Sequence, residues 1–291
     1  MPRGGPGKDE RRLEERSDYD AIGFDLLTAL LDTWSTWSAV AGGRDVGMRW
    51  HAASQAMLRG REYRPFEDIV RDSAREVGVS ESQADELLRR WGDFEPWPDT
   101  TEVLASLGER TTFIVTNCSQ RLGELAAKRA GRFDLVMTAE RAGAYKPDPR
   151  PYRAALETLG LDPRGVLFVA GSAHDVGGAR RVGMDVYWAN RGAVPAPPDA
   201  TALMERPDLR GLPELLRPTP GASVAGGLAP RTPGPLIPGG KPPGMPRRGP
   251  STAGRRSSSA SASAIPARPP SGPATTGAWA TRAPTPSGTT G

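Results

Sequence analysis

Two acids, a lysine and a hydroxyl–amide pair are spaced along this 291-residue chain so that they could act together. Asp25 closes a short apolar run, AIGF, and Thr116-Asn117 closes a second, TFIV. Lys146 comes after a third run, LVMT, and Asp175 after a fourth, VLFV. If the four runs are strands of one parallel sheet, these groups share its carboxyl edge, where open α/β sheets bind ligands. The set suits nucleophilic catalysis by an aspartate. One carboxylate attacks and forms an ester or acyl phosphate, the lysine holds charge, and the second carboxylate orients water or a cation. An aspartate is ionised at neutral pH without help, since its reference pKa is about 3.9. The competing reading is that Asp25 merely caps a turn or helix.

The elements that must position these residues follow from periodicity. Short β-branched, apolar runs at 112–115, 135–138, 166–169 and 186–188 read as strands, with Ala21–Phe24 as the first. Helical spacing separates them: a restart at Pro98-Asp99 with Glu102, then Gln120–Ala130, Pro149–Leu159 and 176–182, with Asp175 opening the last helix. Strands joined by helices imply a parallel sheet with right-handed crossovers. Between the first strand and Trp91 the pattern changes. Val46, Trp50, Ala53 and Met57 mark one helix face, and Phe66, Ile69, Val70, Ala74 and Val77 mark another. Ser80-x-x-Gln83 is a capping box ahead of Leu87, Leu88 and Trp91, and 33–91 shows no strand. The expected organisation is a charged, disordered leader (1–17), a doubly wound α/β core (18–33 and 99–217), an inserted helical cap (34–98) and a disordered Pro/Gly/Ser/Arg-rich tail (218–291).

Composition narrows the function classes. The formal net charge is +4, but nine basic residues and no acid lie from Leu215 onward, so 1–214 carries −5. A mildly acidic body gives no support to nucleic-acid binding by the folded part. No apolar run reaches the roughly 20 residues that span a bilayer, and no secretory signal opens the chain. One cysteine, Cys118, excludes an intramolecular disulfide and fits a cytoplasmic location; it reads as a small buried hydrophobe, not a nucleophile.

The order of these groups, the helical insertion and the segment KPDPRPY at 146–152 resemble the haloacid dehalogenase superfamily, above all its L-2-haloacid dehalogenase-like branch. FDLLTALL, TNCS, Lys146 and FVAGSAHDVGGA are similar to its four motifs, and the ending WANR is similar as well. The resemblance implies that Asp25 is the nucleophile and that Thr116 and Asn117 orient a substrate carboxylate or phosphate. It implies that Lys146 offsets the charge of the paired acids and that Tyr152 contacts Lys146 or the pocket. Asp175 would position the hydrolytic water, or bind Mg²⁺ with Asp25 and the Leu27 carbonyl. The substrate implied is a small anionic organic molecule, and related enzymes often pair as homodimers.

Several positions depart from the family pattern. Phosphatases of the superfamily carry a general acid two residues after the nucleophile; here that residue is Leu27, which cannot donate a proton. A halide leaves without protonation, so Leu27 favours carbon–halogen chemistry with no cofactor. Thr28-Ala29 replaces a Gly-Thr pair, which predicts the loss of a hydroxyl that orients the nucleophile. The fourth motif has Ala170 and Ser172 where dehalogenases have Ser and Asn, and the halide-capturing arginine of the insertion falls near His51 or Arg44. Two alternatives stay open: a Mg²⁺-dependent phosphatase of small metabolites, and a catalytically silent binding protein of the same fold.

Overall fold

Among the described residues six parallel strands form one sheet: β1 (Ala21–Phe24), β4 (Thr111–Thr116), β5 (Leu135–Thr138), β6 (Val166–Ala170), β7 (Asp185–Ala189) and β8 (Met204–Arg206). They come from a computed structural model that describes residues 19–58, 62–196, 198 and 201–216. Their order is β5-β4-β1-β6-β7-β8, so the strand that ends on Asp25 is central. Phe24 pairs with Ile114 on one side and with Val169 on the other, which puts the carboxyl ends of β1, β4 and β6 level. The expected leader and tail, 1–17 and 218–291, lie outside the described residues.

Period-two alternation divides the core into two layers. Ile22, Phe24, Ile114, Leu167 and Val169 face one way, over α6 (Gln120–Ala130) through Leu122 and Ala126. Ala21, Phe113, Val115, Phe168 and Val186 face the other. There they meet Tyr152, Ala155 and Leu156 of α8 (Pro149–Leu159) and Val176 and Ala179 of α9 (Ala173–Arg181). Both faces of the sheet are therefore covered, which is why its strands read as continuous apolar runs. Gly23 is needed in the centre: a Cβ there would lie 2.6 Å from the Phe113 ring and 2.9 Å from that of Phe168.

The helical insertion after β1 comprises α1 (Thr33–Val40), α2 (Arg44–Leu58), α3 (Phe66–Val77) and α4 (Glu81–Arg89). Its interior is aromatic. Trp37 meets the Trp50 ring edge-on at 4.8 Å, and Trp91 stacks edge-on with Phe66 at 5.4 Å and Phe94 at 4.9 Å. The buried Trp50 indole is satisfied by the Val70 carbonyl at 3.0 Å. The Ser80–Gln83 capping box forms as the sequence indicates. The buried face of α2 is rotated from the expected one: Gly47, Trp50, Ser54 and Leu58 are buried, whereas Val46, Ala53 and Met57 are half-buried. Gly47 explains the rotation, because a Cβ there would sit 2.6 Å from the Ser38 backbone of α1. A small residue, invisible to hydrophobic periodicity, lets the two helices touch.

Three further features went unread in the sequence. β2 (Leu31–Asp32) and β3 (Glu95–Pro96) form a short antiparallel ribbon at the two ends of the insertion. β8 adds a parallel edge strand, and α10 (Leu212–Leu215) follows it. α9 begins at Ala173, not 176, with Ser172 as N-cap, so Asp175 lies within the first turn and does not open the helix. Two- and three-residue strands are too short to show a period, and the N-cap serine is set apart from the apolar run by Ala173, His174 and Asp175.

Candidate active site

Each reactive group sits where a strand of the sheet ends. Asp25 follows β1, and its backbone N–H donates to the Val169 carbonyl of β6 at 2.9 Å, which fixes the start of the turn. Asn117 follows β4. Lys146 lies on the loop beyond α7 (Ala139–Ala142), eight residues past β5, and Asp175 lies in the first turn of α9. Asn117 holds the lysine loop in place: its Oδ1 accepts from the Lys146 N–H at 2.7 Å and its Nδ2 donates to the Lys146 carbonyl at 3.1 Å.

Lys146 joins the two acids. Its Nζ is 2.8 Å from Asp25 Oδ1 and 3.1 Å from Asp175 Oδ1, and all three side chains are buried. Tyr152 donates its hydroxyl to Asp175 Oδ1 at 3.0 Å. The other Asp25 oxygen, Oδ2, takes three donors: Thr28 N–H at 3.1 Å, Thr28 Oγ1 at 2.8 Å and Ala29 N–H at 3.3 Å.

These contacts separate the two carboxyls. Burial pushes Asp25 up, but the charge and hydrogen bond of Lys146 and the two Thr28 donors hold it below the ordinary carboxylate value. Burial raises Asp175; Lys146 opposes the rise and the charge of Asp25 adds to it, leaving it above its ordinary value. Burial lowers Lys146, yet the flanking Asp175 and Asp25 charges raise it overall, so it remains an ammonium. One acid is held ionised and its neighbour is made the better proton acceptor.

The residues named from the sequence divide into those that face the site and those that support it. Asp25, Lys146 and Asp175 meet directly. Tyr152 reaches Asp175, not Lys146, because its ring lies beneath Gly178 of α9. Thr116 is fully buried and turns its hydroxyl to Cys118 Sγ at 3.5 Å, so it is not directed to a substrate. The side chain of Asn117 is spent on the Lys146 backbone. Ser172 caps α9 by accepting from the Asp175 N–H at 3.3 Å. His51 is half-buried against the Trp37 ring at 5.3 Å and senses the charge of Asp25. Burial lowers its pKa to about 4 against the opposing charge of Asp25, so the imidazole is neutral. Arg44, the other candidate for anion capture, is exposed at the start of α2. Cys118 is buried and burial pushes its thiol up to about 12, as befits a packing residue.

The hydroxyl expected to be missing is present one position earlier. Thr28 Oγ1 donates to Asp25 Oδ2, so replacement of Gly-Thr by Thr-Ala moves the donor along the turn without deleting it. Gly171 makes room for it: a Cβ there would lie 2.5 Å from Asp25 Oδ2 and 2.6 Å from the Ala29 nitrogen. Sequence spacing alone hid both residues, because their importance depends on the approach of the β6 turn to the β1 turn.

Asp25, the Leu27 carbonyl and Asp175 are the groups that the fold family would offer to Mg²⁺. Both Asp25 oxygens and Asp175 Oδ1 already accept from protein donors, and Lys146 Nζ lies between the acids. Mg²⁺ keeps several waters and needs only one or two carboxylates, so Asp175 Oδ2, an Asp25 oxygen and the Leu27 carbonyl would be its protein ligands.

Comparisons with known proteins identify the family of this fold. The haloacid dehalogenase-like hydrolase family matches residues 15–183. An (S)-2-haloacid dehalogenase of Pseudomonas sp. (strain YL) is 29% identical over 195 residues, 60% of this chain and 84% of that protein. A phosphoserine phosphatase of Thermus thermophilus is 32% identical over 201 residues, 66% of this chain and 74% of that protein. The crystal structure of a dehalogenase with an intermediate complex superposes with a TM-score of 0.63 at 25% identity, over 68% of this chain and 97% of that one. This chain belongs to the haloacid dehalogenase-like hydrolases, and it is similar to L-2-haloacid dehalogenases and to phosphatases of that family. It is a hydrolase.

Proposed function

We propose that the protein hydrolyses the carbon–halogen bond of a small 2-haloacid through an ester formed on Asp25. The observation that carries this reading is Leu27. The side chain two residues beyond the nucleophile cannot protonate a leaving group, and a halide needs no proton. Asp25 Oδ2 is held by three donors, which leaves Oδ1, beside Lys146, as the attacking oxygen. It bonds to C2 of the substrate while the halide departs with the C–X electron pair. The substrate carboxylate is oriented by backbone N–H groups at 117–118, and His51 and Leu27 offer neutral contacts.

Water then adds to Cγ of the ester. Asp175 accepts its proton through Oδ2, since Oδ1 is engaged by Lys146 and Tyr152. The bond from Cγ to Oδ1 breaks; Oδ1 stays on C2 and takes a proton to become the product hydroxyl, while the water oxygen replaces it in the Asp25 carboxylate. The net reaction converts haloacid and water into hydroxy acid, halide and a proton. Residues 18–33 and 99–217 serve as the catalytic core and 34–98 as its cap. No step requires a cofactor, and a cytoplasmic homodimer is the expected setting.

A second reading, a Mg²⁺-dependent phosphatase of small metabolites, is favoured by the Thermus relative. Parallel assays of halide and inorganic phosphate release, on panels of 2-haloacids and phosphate monoesters with and without Mg²⁺, separate the two. Metal-independent halide release from wild type, absent in Asp25→Asn, is the expected result. Mg²⁺-dependent phosphate release would overturn it, and silence on both panels would favour a binding protein.

A further inference from the structure

The turn that holds Asp25 is itself held from behind. The two peptide planes that follow Thr28 have their carbonyls on the side away from the acid. The Thr28 carbonyl accepts from the Trp97 indole at 3.1 Å, while the N–H of that same peptide, on Ala29, donates to Asp25 Oδ2. The Ala29 carbonyl accepts twice from Arg191, through Nε at 3.0 Å and Nη2 at 2.8 Å. The next carbonyl, Leu30, accepts from the Trp97 N–H at 3.0 Å and Thr100 Oγ1 at 2.8 Å.

Arg191 is built in, not draped over the surface: its side chain is 6% exposed and its Asp99 partner 3%. The pair is bidentate, with both contacts at 3.0 Å, and the guanidinium lies 4.9 Å from the Trp97 ring centroid. Asp99 also accepts from the Leu209 N–H at 2.6 Å. Arg191 leaves the end of β7, Asp99 and Trp97 follow β3, and 28–30 leads into β2. Two remote segments thus converge on the 28–30 loop, and a guanidinium fork suits that geometry better than an ammonium.

We infer that Arg191, backed by Asp99 and Trp97, is a positioning residue for the nucleophile. Arg191 fixes the Ala29 carbonyl and Trp97 the Thr28 carbonyl, so that the Thr28 and Ala29 donors grip Asp25 Oδ2 and leave Oδ1 aimed at the substrate. This rests on the assignment of Asp25 as nucleophile. A bond chain from indole through peptide to carboxylate is also polarised along its length. Loosening its far end degrades the near-attack geometry without touching the substrate.

The test uses the full chain with Arg191→Met, Arg191→Lys, Trp97→Phe, Thr28→Val and the Arg191→Met/Thr28→Val double variant. Turnover and amide exchange are measured well below each variant's Tm. We expect Arg191→Met to lower kcat by roughly tenfold to a hundredfold with KM within about twofold. Arg191→Lys and Trp97→Phe, milder changes that keep a cation or the ring, should show smaller losses in the same direction. Because Arg191 acts through Thr28, the double variant should fall short of the product of the single effects. Amide exchange at Thr28 and Ala29 should accelerate in Arg191→Met relative to the amides of α6. A lowered Tm with unchanged kcat, fully multiplicative effects, or unaltered exchange at Thr28 and Ala29 would each overturn the inference. The exchange readout needs no substrate, so an inert wild type would sink the dehalogenase reading while leaving the role of Arg191 decided.

Discussion

The two acids of the site share one cation, and the consequences of removing any member differ. Asp25→Asn keeps the shape and leaves Lys146 paired with Asp175, so the fold should persist while turnover falls by about three orders of magnitude or more, measured as halide release. Lys146→Ala is harsher. It leaves two buried carboxylates facing each other without a counter-charge and should cost about 3–5 kcal/mol in denaturant unfolding as well as activity. His51 supplies a pH signature of its own. Its folded pKa is lowered from 6.5 to about 4, so between those values the unfolded chain binds more protons than the folded one. Stability from this residue is present above about pH 6.5 and is lost as the pH falls toward 4. Unfolding free energy in urea across that window should fall less steeply in His51→Leu than in wild type; parallel curves would show that the fold does not hold the imidazole neutral.

At the scale of elements, the site depends on the close approach of two turns. The turn from β6 into α9 passes directly over the turn that follows β1, and Gly171 is the point of contact. Gly171→Ala should therefore push against Thr28 Oγ1 and Asp25 Oδ2 and lower kcat more than tenfold, with far-UV circular dichroism unchanged. Full activity in this variant would mean that the loops yield and that the grip on Oδ2 is dispensable. The elements themselves were mostly legible. Gln120–Ala130, Leu135–Thr138 and Pro149–Leu159 agree with the sequence reading to the residue, because each joins a strong period to a clear cap or turn. β2, β3 and β8 were not, since strands of two or three residues have pairing partners but no pattern.

For the whole molecule, charge is unevenly distributed. The stretch from Leu215 onward carries nine basic residues and no acid, against −5 for the rest. Truncation after residue 217 should move the protein from cation- to anion-exchange retention near neutral pH. Turnover and Tm should stay within error, because Leu216 is retained with its carbonyl bond to Arg110 at 3.3 Å. Loss of activity on truncation would assign the basic segment a part in substrate capture. Among the described residues no helix is long and apolar enough to cross a membrane.

The sequence by itself determined the order of the longer strands and helices, the helical insertion, and the identity of Asp25, Lys146 and Asp175 as a set. Residue type and strand-end position are local facts, and a parallel sheet turns them into neighbours. Only the tertiary structure decided what each neighbour does. Thr28 took over a hydroxyl thought lost, Thr116 turned to Cys118, Asn117 was committed to the Lys146 backbone, and Tyr152 went to Asp175. Arg191 became visible only when its bonds to Ala29 and Asp99, 162 and 92 residues away, were in place. Hydrogen-bond direction depends on distances of tenths of an ångström between segments remote in the chain, and no one-dimensional pattern encodes them.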